Sequence, residues 1–423
     1  MEQHPDSYYA ATAKEDVVLP VLKGSHKADV CVIGGGYTGT SAALHLAERG
    51  YKVILLEANR IGWGASGRNG GQVWGCQRKE QEELEEMYGM DMARMLWDIG
   101  ETSAELLKEL VVKHNIDCDL KPGILSACPR ASDVGWYHQH AEKMARDYDY
   151  PHIQPLTKSE LEERLGSKIY HGGAVNMQNA HIHPLNFVLG MARAARDAGA
   201  EMYEGSRVLS YDTNNPTTVK TEQGEVIASH VVIGCNGYLD RLEKRVMGKI
   251  MPINNFVLAT EPLGEERAKS LIRDDTAVSD GNFVVNYFRL SADKRMLFGG
   301  GENYRRGFPR DIKSFVRKYM LQVFPQLEDA RIDYAWGGTL AVTMSRLPHF
   351  GRLEPNVFFA HGYSGEGVAL GTMAGQLIAE AVAGTSERFD VMSKIKTRTF
   401  PGGTLLRWPG MVAGMFYYSL RDK

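Results

Sequence analysis

Apolar positions along the chain follow two periods. Short unbroken apolar runs at 28–33 and 52–57 ("KVILLE") predict buried strands. Between them, 41–49 is apolar on one face and predicts a helix, with Gly50 suited to the position just past its end. Together they make a βαβ unit of about 30 residues. The right-handed crossover rule makes its two strands parallel. Further on, 80–95 and 103–114 predict helices, and the charge run "KEQEELEE" at 79–86 predicts a solvated helix face. A helix is expected at 185–199 and strands at 200–204 and 208–211. A hairpin is expected from 217–221 and 225–228 around Gln223-Gly224. "HVVIGCNG" at 230–237 predicts a third buried strand that ends in an Asn-Gly turn. Residues 250–300 alternate in short strand-like runs, including "NFVVNYFRL" and "RMLFGG". The stretch 356–384 predicts a strand, a glycine-rich turn and a long helix.

Parallel-sheet signals therefore stand at the start, middle and end, with helical or antiparallel segments between. This order predicts an α/β protein of two interwoven lobes. The expected boundaries are 26–78, 170–240 and 335–395 for a nucleotide-binding lobe and 79–169 and 241–334 for a substrate lobe. A tail follows at 396–423. No internal repeat or low-complexity linker interrupts them.

Composition narrows the function. The chain has 423 residues, 43% hydrophobic and 24% charged, with a formal net charge of −3. That is ordinary globular composition, without the basic excess that nucleic acid attracts. No apolar run approaches the length of about 18 residues that suggests a membrane span. Five cysteines without CxxC spacing, Cys31, Cys76, Cys118, Cys128 and Cys235, favour free thiols in a reducing compartment and no zinc site. The opening "MEQHPDSYYAATAKED" is polar and acidic, unlike a secretory leader, so the cytoplasm is expected.

The candidate chemistry begins at "IGGGYTGT", 33–40, where Gly34, Gly36 and Gly39 fit the dinucleotide fingerprint. Gly34 would make the tight turn, Gly36 would admit the pyrophosphate and Gly39 would let helix pack on strand. The helix N-terminus would supply free N–H groups. Glu57 ends the second strand, where a carboxylate can accept ribose hydroxyls and would repel a 2′-phosphate. The next stretch, "ANRIGWGASGRNGGQVWG" at 58–75, carries six glycines. Such bare backbone suits an extended ligand, which points to FAD over NAD. Ser66, Arg68, Asn69 and Gln72 add hydrogen-bonding groups there. "HGYSGEGVAL", 361–370, offers a second bare helix start that would favour negative charge on a flavin.

At "ADVCVIGGGYTGTSAALHLAERGYKVILLE", "GASGRNGGQ", "VVIGCNGY", "YFRL" and "GYSGEGVALGTMAGQLIAE" the chain resembles the D-amino-acid-oxidase-like FAD-dependent amine oxidases. "SYYAAT", "NRIGWGASGRNGGQ", "FPGG" at 400–403 and the closing "YYSLRD" look like one subgroup, which acts on glutamylated polyamines. The resemblance implies a glutathione-reductase-like FAD lobe with a mixed-sheet substrate lobe over the flavin. FAD contacts would map onto Gly34, Gly36, Tyr37, Thr38 and Gly39, then Glu57, Ala58, Asn59 and Arg60. They would continue through Gly64, Ala65, Ser66, Arg68, Asn69, Gly70, Gly71 and Gln72, with Val208, Asn236, Gly237 and Gly338. The last would be Gly362, Tyr363, Ser364, Gly365, Glu366, Gly367 and Val368.

Two departures refine this. Some relatives attach the flavin through a cysteine, but "GGTLAVTMSRLPHFG" has none, so noncovalent FAD is expected. Relatives that oxidise small amino acids often place a lysine where Ala369 stands. An amine on a plain alkyl chain, such as the putrescine end of a glutamyl conjugate, is therefore favoured.

The implied reaction takes a hydride from the amine-bearing carbon to flavin N5, across about 3–3.5 Å. Molecular oxygen would accept the electrons as hydrogen peroxide, and the imine would hydrolyse to aldehyde and ammonia. The amine must be neutral, and desolvation lowers its ordinary pKa of about 10.4. Tyr287 and Arg289 share a strand face. Tyr287 is expected to shape the pocket, Arg289 to bind a distal carboxylate or sit at the rim, and Trp336 to wall the site or fill core. Trp63 stands beside the expected flavin loop and Glu366 in the second turn; His349 and His361 could approach the ring, but position alone does not assign them. "HIH" at 181–183 reads as lobe-boundary histidines, with no metal site expected. The apolar "RWPGMVAGMFYYSL" at 407–420 is expected to pack on its own domain or on another subunit. Two other readings stay open: an amino-acid dehydrogenase passing electrons to quinone, and a flavin-binding interaction protein without turnover. The oligomeric state is left open.

Overall fold

Val30–Ile33 are wholly buried because two parallel strands flank them. Residues Gly24–Ile33 form a strand paired with Val53–Leu56 on one edge and Gly224–Ile233 on the other. The chain, a computed structural model, is described over residues 1–15, 18–282, 284–302 and 307–410. The first sheet has eight strands. Its main path runs His349–Glu354, Val357–His361, Gly224–Ile233, Gly24–Ile33, Val53–Leu56, Glu201–Tyr203. All neighbours on that path are parallel except the first pair. Helices Tyr37–Ala47, Pro184–Asp197 and Ala369–Val382 pack together around the largest core cluster.

The second sheet has nine strands, mostly antiparallel. Its path runs Ile332–Val342, Met251–Thr260, Met296–Glu302, Tyr287–Leu290, Ala277–Asp280, Lys121–Ala127, Gly173–His181, Gln72–Val73. Segments expected in one lobe contribute strands to both sheets. Gly173–His181 and Ile332–Val342 pair within this second sheet, although 170–240 and 335–395 were expected in the nucleotide lobe.

Several elements differ from the periodicity reading for local reasons. The first strand starts at Gly24, since the polar 24–27 segment pairs with 224–227 and stays largely exposed. The first helix starts at Tyr37; its polar opening turn is buried against the site, so periodicity could not mark it. The regions 80–95 and 103–114 form Gln81–Tyr88 and the 24-residue helix Met90–Lys113, broken at Gly89 with φ 80°. No break occurs at Gly100, whose bare Cα lets the Cys76 backbone approach; a Cβ there would lie 2.9 Å from Cys76 Cα. The segment 225–237 contains one strand, Gly224–Ile233, which serves both the hairpin and the buried sheet.

Candidate active site

Two helix starts converge on one cavity. Helix Tyr37–Ala47 has Gly36 as its N-cap, and helix Ala369–Val382 has Val368; neither N-cap side chain bonds the helix. Gly375 lets these helices touch: a Cβ there would lie 2.4 Å from Ala42 N. Ser41 Oγ donates to the Thr372 carbonyl (2.6 Å), and Thr38 Oγ1 and Tyr363 OH lie 2.6 Å apart. The two glycine-rich turns are thereby tied side by side. The cavity before them measures about 1360 Å³ and reaches both turns, the 65–72 loop and the face of the second sheet.

The structure places the sequence-derived residues in distinct settings. Gly36, Tyr37, Thr38, Ala65, Ser66, Arg68, Asn69, Gly70 and Gln72 line the cavity. So do Asn236, Gly338 and 363–368 from the opposite side. Gly34 (φ 107°) and Gly39 form the turn behind it; a Cβ on Gly39 would sit 1.8 Å from the Gly34 oxygen. Ser66 Oγ accepts the Tyr37 N–H (3.0 Å), and Asn69 binds its own loop through the Ala65 and Ser66 carbonyls and the Gly71 N–H. Asn236 Oδ1 accepts the Gly362 N–H (2.9 Å), joining the third buried strand to the second turn. Gly237 packs on the 339–340 backbone.

The 57–60 group stands beyond the cavity wall. Glu57 accepts N–H groups of Gly35 (2.7 Å) and Asn59 (2.8 Å); burial raises its pKa and these bonds oppose the rise. Asn59 Oδ1 accepts the Glu2 N–H, and Arg60 pairs with buried Glu204 at 2.9 Å. Ala58, Gly64 and Val208 do not line the cavity; Val208 packs beneath the first sheet. Trp63 donates to the Gln3 carbonyl, and the Arg68 guanidinium lies 4.2 Å above its ring.

Tyr287 lines the cavity, and its ring lies between two bare backbones. A Cβ on Gly70 would come within 2.7 Å of the ring, and one on Gly299 within 2.1 Å. Its OH donates to Asn255 Oδ1 (2.6 Å). Arg289 shares that strand face but turns away from the cavity, which corrects its expected reach to a substrate carboxylate. Its guanidinium donates to the carbonyls of Gly70 (2.9 Å) and Ile182 (2.7 Å) and to Tyr9 OH (3.2 Å). It holds the 65–72 loop from behind. Trp336 is likewise core: it is 2% exposed, packs edge-on against Tyr9 and donates to the Arg68 carbonyl.

His349 and His361 face each other at 2.9 Å behind the second turn, and burial holds both well below the ordinary histidine range. Neither lines the cavity. His181 bonds the Asp275 carbonyl, and His183 caps helix Pro184–Asp197 through Nδ1. Among the described residues no group of three His, Cys, Asp or Glu side chains is placed for a metal. Glu366 lines the cavity with Arg78 at 3.9 Å; burial raises its pKa against that cation. The tail contributes Phe400, Pro401 and Arg407 to the rim, and Arg407 donates to the Met247 and Ile250 carbonyls. Residues 411–423, with most of the apolar tail and "YYSLRD", lie outside the described residues.

Sequence reasoning missed Asn255, Trp74, Trp97 and Glu101, which line the second-sheet side. Asn255 alternates along a strand already suspected. Glu101 fell in the gap expected between 95 and 103, which helix Met90–Lys113 in fact spans.

The site suits a flavin dinucleotide. Two helix starts whose N-cap residues make no side-chain bond face one space, the glycines keep it open where a Cβ would intrude, and its volume exceeds the usual 300–1,000 Å³ of a small-ligand pocket. A family model described as "DAO: FAD dependent oxidoreductase" matches residues 29–381. The chain belongs to this family. As a DAO-family protein it is an FAD-dependent oxidoreductase, and the expected α/β architecture with a nucleotide sheet and a mixed sheet holds. It is 41% identical to the gamma-glutamylputrescine oxidoreductase of Escherichia coli (strain K12), over all of this chain and 99% of that one. A probable oxidoreductase of Haemophilus influenzae is 38% identical over 100% of this chain and 98% of its own length. Among solved structures, glycine oxidase from Geobacillus kaustophilus shares the fold: TM-score 0.71 and 23% identity over 85% of this chain and 95% of that one. L-proline dehydrogenase from P. horikoshii has the same TM-score, with 21% identity over 86% of this chain and 94% of that one. Among the described residues no helix of this DAO-family chain is long and apolar enough to cross a membrane.

Proposed function

We propose that this enzyme oxidises the terminal amine of a γ-glutamylated polyamine, with γ-glutamylputrescine as the probe substrate and molecular oxygen as electron acceptor. The 41% identity to a gamma-glutamylputrescine oxidoreductase across both whole chains carries the reading. When bound, FAD supplies the hydride acceptor for the carbon bearing the amine and a route for the electrons to oxygen. The backbone N–H groups at the Gly36 and Val368 helix starts, with Thr38, Ser66 and Asn236, would hold it. Tyr287, fixed by Gly70, Gly299 and Asn255, would give the alkylamine a flat wall. The buried surroundings would disfavour the ammonium form and leave the nitrogen lone pair free. The side chain at 369 is only a methyl group, so nothing there calls for a carboxylate beside the reacting amine. The five free thiols suit a reducing compartment, and we place the enzyme in the cytoplasm.

The test is product balance in air with purified holoenzyme. One hydrogen peroxide and one ammonia should form per γ-glutamylputrescine consumed, together with the aldehyde. An added quinone should not raise the rate. Turnover that yields no peroxide until quinone is supplied would overturn oxygen as the acceptor, and absence of ammonia would overturn the reaction.

A further inference from the structure

The cavity extends past Tyr287 and Gln72 into a pocket walled by helix Met90–Lys113. Here Trp97 and Glu101, one helical turn apart, meet Gly75, Ile153, Asn176 and Asn179. Asn179 Oδ1 accepts the Gly75 N–H (3.0 Å), and Gly75 has no side chain; a Cβ there would lie 2.4 Å from Glu101 Oε1. The carboxylate therefore lies directly on bare backbone at the cavity wall. Trp97 is set edge-to-face against Tyr150 at 5.0 Å. The Tyr150 OH accepts a hydrogen bond from Asn176 Nδ2 (3.0 Å). The pocket is thus an aromatic wall beside a half-buried acid. Lys108, on the same helix, donates to the Gln178 carbonyl instead.

A carboxylate beside indole in a partly dry pocket is a recognition element for an ammonium group, through charge-assisted hydrogen bonds and the indole face. The reacting nitrogen cannot be that group, because it must be neutral. Gly75 stands three residues beyond Gln72, a reach of at most about 10 Å. In extended γ-glutamylputrescine the glutamyl α-nitrogen also stands on the order of 10 Å from the reacting carbon. We propose that Glu101, with Trp97, binds the α-ammonium of the substrate's glutamyl group and so sets specificity for γ-glutamylated amines. The assignment rests on the γ-glutamyl reading above.

The subsite should be pH-gated. Burial pushes the Glu101 carboxyl up to about 7, with Glu105 adding to the rise and Tyr150 and Lys108 opposing it. Cys76, whose thiol burial raises far above its ordinary range, faces it from the 75–76 backbone. The anionic form that attracts ammonium is thus present above about 7 and lost as pH falls through that value.

The test uses FAD-loaded enzyme and two ligands without the reacting amine, each followed by its perturbation of the flavin spectrum. One is the γ-butylamide of glutamate. The other is glutaric acid monobutylamide, which lacks the α-ammonium. Wild type should bind the first at least about tenfold tighter at about pH 8, and the ratio should collapse towards one near pH 6. Glu101→Gln should reduce it to within about twofold, and Glu101→Asp should restore part of it, with FAD content and Tm unchanged. A Glu101→Gln enzyme that keeps the wild-type ratio, or a wild-type ratio indifferent to pH, overturns the assignment. Discrimination that persists while γ-glutamylputrescine leaves the flavin oxidised would sink the substrate reading and leave the ammonium subsite standing.

Discussion

At the scale of single residues, the site depends on what is missing from its glycines. Gly299 has ordinary sheet geometry, yet its bare Cα gives the Tyr287 ring its place. In Gly299→Ala the new methyl would stand 2.1 Å from the ring, which must swing into the cavity. Overpacking of this kind costs about 1–3 kcal/mol. The expected outcome is wild-type FAD content with kcat/KM for the amine down by about tenfold or more, read by steady-state peroxide release. Unchanged kcat/KM would show that the Tyr287 wall plays no part. Arg289 shows what sequence hides at this scale. Alternation correctly put it on the face of Tyr287, but the spacing carried no sign of the Gly70 and Ile182 carbonyls that capture its guanidinium. Those acceptors are backbone atoms distant in sequence. Trp336 was ambiguous for the same reason, since Tyr9, which fixes it in the core, comes from the opposite end of the chain.

At the scale of elements, two helices must cross closely to bring their starts together. Gly375→Leu would force Ala42 and Ser41 away from helix Ala369–Val382 and part the Thr38–Tyr363 contact. We expect a loss of about 1–3 kcal/mol in urea unfolding and FAD released on gel filtration. Retained FAD at wild-type stability would contradict the close crossing. His45 in the first helix gives a pH signature. Burial lowers its pKa to about 4 while Nδ1 holds the Ser41 carbonyl at 2.8 Å. A histidine kept neutral by folding contributes stability fully above its ordinary 6.5, and loses it as pH falls towards 4. Relative to His45→Gln, wild type should therefore lose about 1.4 kcal/mol per pH unit across that window, measured as urea midpoints. A pH-independent difference would contradict the buried neutral ring. The elements that were legible from sequence, the βαβ unit and the strand–turn–helix at 356–384, carry hydrophobic runs interrupted by glycine. The helix break at Gly89, and not between 95 and 103, was illegible because a φ of 80° leaves no periodic trace.

At the scale of the whole molecule, the chain crosses between its two sheets repeatedly, and the cavity is built from pieces of both. Strand Gln72–Val73 leaves the nucleotide side to join the second sheet, carrying the 65–72 loop along the cavity wall. Binding a dinucleotide there should stabilise the whole fold by mass action. Apo-protein given FAD at about 100 times its Kd should gain about 2.7 kcal/mol, with a Tm that climbs as FAD rises. A Tm indifferent to FAD would mean that the cavity does not hold it. The most direct test of the central claim, that this space holds FAD over an oxidisable amine, is anaerobic mixing of holoenzyme with γ-glutamylputrescine while recording flavin absorbance. The account predicts full loss of the oxidised flavin band without oxygen, and its return with peroxide release when air is admitted. A band that persists at saturating amine would contradict it.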